Sequence, residues 1–207
     1  STVIYATYTG IENLSRVCQI FLILFVFIFV MKWLFLFSMP DAINVYNLKP
    51  VLEKGIFPVI KKGWLLITFP YGESIVLTML YPLVTESSRV RKSAVLAIIF
   101  LGILLTANTI MFISVLGLNF ASTSLFPLLQ TYRIMKIGEF FSRFGVFFVL
   151  FVIMGDFIKV GFSMYGSMLG LSQLIKLEDT KYLALPLGIL VFITSLLIAS
   201  NFPQHIY

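Results

Sequence analysis

The sequence predicts an all-α integral membrane protein, and three observations predict it. Charged residues make up 12% of the 207 residues, about half the roughly 25% of a soluble domain. Apolar runs long enough to cross a bilayer recur along a chain that is 59% hydrophobic; a spanning helix needs about 20 such residues. One of these runs is interrupted in its middle by Thr68-Phe69-Pro70-Tyr71-Gly72-Glu73. A β-barrel would alternate apolar and polar positions, and residues 21–30 have no polar face.

Four simple spans are predicted, over residues 17–37, 93–118, 144–171 and 182–200, and one compound span over 58–84. Residues 1–9 are apolar and aromatic but too short to cross, and read as the end of a helix. The chain is expected to be one membrane domain, 1–207, and a piece of a longer protein. Between the spans, short connections alternate with long ones. The second long connection holds Phe126-Pro127-Leu128-Leu129-Gln130-Thr131-Tyr132, a pattern expected to form a short helix along the membrane surface.

The compound span carries most of the functional argument. As one straight helix it would reach about 40 Å, against about 30 Å of hydrocarbon. Pro70 and Gly72 break it instead, giving two half-helices joined at residues 69–72. The break frees backbone N–H and C=O groups that lipid cannot satisfy, so they must face protein, water, an ion or a ligand. Gly72 is expected to supply backbone freedom there. Glu73 falls at the start of the second half-helix, where the freed N–H groups and the dipole favour a negative charge. Broken helices of this kind form substrate sites in secondary transporters.

Four ionisable residues fall inside the spans: Lys32, Glu73, Asp156 and Lys159. Each costs at least about 2.5 kcal/mol at the centre of a lone helix, so each is expected to face a cavity, the bundle interior or another charge. Glu73 reads either as a ligand for an ion, proton or amine, or as a cap on its own broken helix. Asp156 and Lys159, three residues apart on one helix face, read as a mutually neutralising pair, or as a proton relay or second ligand site. Lys32 either snorkels toward the interface or stands in for a coupling cation. Asn108 and Thr106 are suited to bonding another helix. Gly155, Gly161, Gly166 and Gly170 mark close helix packing.

The net charge of +6 sits between the spans, where lipid head groups explain it better than nucleic acid does. Loop charge does not set the orientation: Arg16, Arg89, Arg91, Lys92, Lys176 and Lys181 on the short-loop side are nearly balanced by Lys49, Lys54, Lys61, Lys62, Arg133, Lys136 and Arg143. Cys18 is the only cysteine, which excludes an intramolecular disulfide and a thiolate cluster. His205 is the only histidine, so no Ser/His/Asp set or HExxH motif exists inside the spans. No metal, cofactor or enzymatic activity is expected.

Further landmarks occur in order. They are Tyr8-Thr9-Gly10-Ile11-Glu12 with Arg16, then Leu48-Lys49-Pro50-Val51-Leu52-Glu53-Lys54-Gly55, then the 68–73 break and Tyr81-Pro82. Phe126-Pro127 comes next, then Glu139 with Arg143, and Lys176-Leu177-Glu178-Asp179 with Pro186. The ordered set covers nearly the whole chain and resembles the spore germination amino-acid permease family. These are the integral-membrane B subunits of nutrient germinant receptors in spore-forming Firmicutes, within the amino acid–polyamine–organocation superfamily. The resemblance implies a LeuT-like inverted repeat of ten helices, of which this chain would supply helices 5 to 9, with the broken span as helix 6 and the short loops cytoplasmic. It implies an amino acid or similar nutrient bound at Thr68–Glu73, other receptor subunits as partners, and the spore inner membrane as the location. Asp156 is not part of the family pattern. Two other readings stand beside it: a proton-coupled amino-acid transporter that uses the same site, with Glu73 or Lys32 carrying the proton, and a scaffold whose Gly-rich helix and long loops only hold partners.

Overall fold

A computed structural model of the chain describes residues 2–38, 43–51, 53, 55–85, 87–134 and 144–198. Leu52, Lys54, Lys136, Glu139, Arg143, His205 and the end of the 182–200 span lie outside the described residues. Among the described residues there are helices and no strands. The α-helices are α1 (Thr2–Tyr8), α2 (Ile11–Phe37), α3 (Phe57–Thr68), α4 (Ser87–Leu116), α5 (Leu118–Thr123), α6 (Pro127–Ile134), α7 (Phe144–Ile175) and α8 (Ala184–Ile198). Short 3₁₀ helices occur at Val45–Leu48, Gly72–Met79, Tyr81–Leu83 and Thr180–Leu183.

Four stretches are long and apolar enough to cross a membrane: Ile11–Phe37, Ser88–Leu116, Val149–Ile175 and Thr180–Ile198. Their large side chains stay open, with Ile23 73% and Phe27 56% exposed. So continuous an apolar surface belongs in hydrocarbon rather than in water. The compound span is not a fifth long helix. It divides into α3 and two 3₁₀ segments, where a second α-helical half was expected. Within it Ser74 donates to the Tyr71 carbonyl at 2.7 Å and Thr78 to the Ile75 carbonyl at 2.6 Å. Pro82 has no N–H with which to continue a helical ladder.

Local signals set the helix ends. Gly10, at φ +100°, separates α1 from α2, so α2 starts earlier than the 17–37 reading. Its first turns carry the Glu12–Arg16 ion pair at 2.6 Å, an exposed i,i+4 pair worth only a few tenths of a kcal/mol. α7 runs on to Ile175 and stops at Lys176, which adopts φ +55°. The Leu177 N–H then reaches back to the Ser172 carbonyl at 2.9 Å, the hydrogen bond of a Schellman stop. Asp179 accepts from the Lys181 N–H at 3.0 Å and caps the 3₁₀ turn that leads into α8. The Lys176–Asp179 landmark is therefore a helix stop with a helix start directly after it.

The described chain divides into two compact units. The first gathers Ser1–Ile23, Ile75–Leu83 and Ile153–Tyr207. Its core is Met164, Met168, Leu183 and Ala184, with Val3, Ile4, Leu171 and Leu187 packed against it. Three glycines of α7 make room for neighbours here. A Cβ on Gly161 would lie 3.0 Å from Leu14 Cδ1, one on Gly166 3.0 Å from Val76 Cγ1, and one on Gly170 3.3 Å from Met79 Cε. The Gly166–Gly170 pair thus receives the 3₁₀ segment on the C-terminal side of the break. Gly166→Leu is expected to cost about 1–3 kcal/mol by overpacking. Gly155→Ala, with nothing within 4 Å of the added Cβ, is expected to be neutral or slightly stabilising. Thermal unfolding of the two variants checks the pair.

The second unit gathers Leu24–Ser74 and Val84–Val152. Leu36 and Met111 are its buried centre, with Trp33, Ile43, Phe112, Val115 and Leu128 around them. The Val45–Leu48 turn is held to the end of α4 through one carbonyl. Ser114 O accepts from the Asn44 N–H at 3.0 Å and from Asn47 Nδ2 at 3.1 Å. α6 forms where the sequence placed a short helix, and Thr131 bonds back to the Pro127 carbonyl at 2.8 Å.

Candidate functional site

The candidate site is the turn that ends α3. Pro58 starts the helix at a position that needs no N–H, and Pro70 ends it. A residue before proline is pushed out of the α region, and Phe69 is extended at φ −139°, ψ 127°. The last carbonyls are reached from the turn: Phe69 N–H donates to Leu65 O at 3.1 Å and Tyr71 N–H to Leu66 O at 3.4 Å. The Phe69–Pro70 peptide is cis.

Gly72 fits for a different reason from the one expected. Its φ is not in the positive region where Gly10, Gly55 and Gly117 lie. A Cβ on Gly72 would instead meet the Ile67 carbonyl oxygen at 2.9 Å. The requirement is for room beside a backbone atom, not for a left-handed backbone. Tyr71 points the other way, to α4, where a Cβ on Gly102 would stand 3.0 Å from its hydroxyl. Thr68, Phe69, Gly72 and Glu73 are exposed, while Pro70 and Tyr71 are half-buried. Glu73 stands in the first turn of the 3₁₀ helix.

A second polar cluster ties α2 to α4 in the same unit. Lys32 is 4% exposed and donates from Nζ to Asn108 Oδ1. The ammonium lies 4.5 Å from the centre of the Phe29 ring and 5.8 Å from that of Trp33, within cation–π range. Lys32 is therefore drawn inward and does not snorkel. Asn108 bonds another helix, but Thr106 does not: its hydroxyl returns to the Gly102 carbonyl of its own helix at 2.8 Å.

The structure brings Thr68 to Glu73 together as one turn and gives Lys32 a partner. Asp156 and Lys159 are exposed on α7, in the other unit. Among the described residues, no group of three or more His, Cys, Asp or Glu could hold a metal ion. Sequence reasoning missed the roles of Phe29, Trp33 and Gly102. A glycine within an apolar span was the signal for the last; nothing in the sequence singles out two aromatics among so many.

Four helices long and apolar enough to cross a membrane, one of them carrying a buried lysine held by an asparagine of another, mark an integral membrane protein. A family model described as a spore germination protein (Spore_permease) matches residues 1–203, and the chain belongs to that family. Spore germination protein KB of Bacillus subtilis (strain 168) is 34% identical over 206 residues, covering 98% of this chain and 54% of that protein. The putative spore germination protein YfkT of the same strain is 33% identical over 180 residues, covering 86% of this chain and 48% of that protein. The chain spans about half the length of the curated relatives it matches. No solved structure matches it.

Proposed function

We propose that this chain is part of the integral-membrane subunit of a spore germinant receptor that binds an amino-acid-like nutrient at Thr68–Glu73. One observation carries the reading: an exposed carboxylate, Glu73, sits beside a helix end whose turn closes only because Gly72 has no side chain. The C-terminal carbonyls of α3 are the negative end of its dipole. Together with the Glu73 carboxylate they suit the ammonium group of an amino acid. Phe69 and Tyr71 would flank the rest of the ligand. Binding would shift the population between two packings of the bundle, which other receptor subunits would read at the spore inner membrane. A LeuT-like arrangement, with this break as one of two, agrees with that role.

The test is binding of a radiolabelled amino-acid panel by the intact protein in vesicles, beside Glu73→Gln. A hydrogen bond to a charged group is worth about 1.5–3 kcal/mol, so the variant is expected to bind about ten- to a hundredfold more weakly. Unchanged binding would remove Glu73 from the site and favour the scaffold reading. A proton-coupled transporter is the second reading, and buried Lys32 on Asn108 favours it. Accumulation of the amino acid against its gradient, rather than saturable binding alone, would decide for it.

A further inference from the structure

Gly102 lies near the middle of α4, and its neighbours one turn away on either side are Ile98, Ile99, Leu105 and Thr106. Positions three and four apart share a helix face, so the missing side chain at 102 is a notch in a row of larger ones. The Tyr71 hydroxyl stands at that notch: a Cβ on Gly102 would lie 3.0 Å from it, tighter than an ordinary van der Waals contact. The Gly102 carbonyl is engaged along its own helix, accepting from the Thr106 hydroxyl at 2.8 Å. Tyr71 and Gly102 both belong to the second unit.

The other end of Tyr71 is held by the turn. Its N–H donates to Leu66 O at 3.4 Å, and its carbonyl accepts from Ser74 N–H at 3.1 Å and from Ser74 Oγ at 2.7 Å. With the backbone held, only the two side-chain torsions of a tyrosine are left to place its rigid ring. The notch decides where that ring stands. A side chain at 102 would move the hydroxyl off α4, and the ring would swing back over the turn that carries Phe69 and Glu73.

We propose that Gly102, which lies outside the Thr68–Glu73 turn, is a positioning residue that sets the side-chain size the turn accepts, by seating the Tyr71 ring against α4. Resting on the amino-acid reading of the turn, this role adds its specificity. With the hydroxyl in the notch, the ring is drawn toward α4 and leaves room at the turn for a ligand side chain. A filled notch gives that room to the ring instead. Small amino acids are then accepted and larger ones refused, since one methylene too many in a pocket costs about tenfold or more. A glycine that served helix packing alone would face a residue of a neighbouring helix; this one faces the tip of a side chain from the binding turn.

The experiment measures binding of radiolabelled glycine, alanine, valine and leucine to the intact protein in vesicles, for the wild type, Gly102→Ala, Tyr71→Phe and the two substitutions together. Gly102→Ala is expected to weaken the larger ligands about tenfold relative to the smallest one that the wild type binds. Tyr71→Phe removes only the atom that the new Cβ meets. Alone it is expected to bind as the wild type does, and combined with Gly102→Ala it is expected to restore the wild-type ranking. Thermal unfolding runs in parallel, and Gly102→Ala is expected not to lower the midpoint, because alanine suits a helix better than glycine. A lowered midpoint with all ligands weakened alike would mean a packing role and overturn the proposal. So would a ranking that Gly102→Ala leaves unchanged, or one that it changes and Tyr71→Phe does not restore; in either case a loss of binding in Glu73→Gln still marks the turn as the site. Binding that Glu73→Gln leaves untouched overturns the reading of the turn, and this role of Gly102 with it.

Discussion

Replacing Gly72 with leucine is expected to weaken ligand binding by the intact protein on the order of ten- to a hundredfold while leaving it in the membrane. The added Cβ would meet the Ile67 carbonyl oxygen at 2.9 Å, and a backbone oxygen cannot rotate away as a side chain does. Overpacking costs about 1–3 kcal/mol, so the native turn falls in population on the order of ten- to a hundredfold. Apparent affinity falls by the same factor when only the native turn binds. Gly72→Ala carries the same Cβ and is expected to lose most of the affinity too. Gly63→Ala, in the same helix α3 with nothing within 4 Å of its Cβ, is the control. It is expected to bind normally and to stabilise the helix by about 0.5–1 kcal/mol. Binding isotherms on vesicles, with membrane insertion measured in parallel, decide the matter. Normal binding by Gly72→Leu would separate the shape of the turn from its function.

The apolar spans were legible because lipid imposes one rule, a run of about 20 apolar residues, and the chain obeys it in plain view. The end of α3 was legible for an equally local reason: Pro70 acts on Phe69 through adjacent atoms. The winding of the segment beyond the break was not legible. Residues 72–79 wind as a 3₁₀ helix, and an apolar run fits that winding and an α-helix equally. The role of Gly72 was misread because a sequence shows a missing side chain but not what fills its place. Freedom of φ and proximity of Ile67 O leave the same letter. The packing role of Gly161, Gly166 and Gly170 was visible from their spacing, but their partners Leu14, Val76 and Met79 come from distant positions that spacing does not name.

Lys32 presents the same limit with larger consequences. Its charge inside a span required a partner, and Asn108 stood out as a polar residue in another span. Only the fold joins the two, along with the rings of Phe29 and Trp33. The pairing makes a prediction that neither residue makes alone.

Asn108→Leu is expected to destabilise the protein more than Lys32→Met does, and the double variant is expected to regain much of the loss. Removing Asn108 leaves a buried ammonium with no acceptor, a change that costs about 3–5 kcal/mol where a buried pair is broken. Removing Lys32 leaves a neutral amide unpaired, at about 1–3 kcal/mol. Removing both leaves apolar side chains of similar length in an apolar place. The coupling in the double-mutant cycle is therefore expected to exceed about 0.6 kcal/mol, the average for a polar contact between membrane helices. Thermal unfolding in detergent measures all four proteins; strictly additive losses would mean that Asn108 does not hold Lys32. The same four proteins separate structure from proton coupling. If Lys32 only joins α2 to α4, the double variant recovers activity along with stability. If Lys32 carries a proton, the double variant recovers stability and remains unable to couple, because methionine has no proton to move.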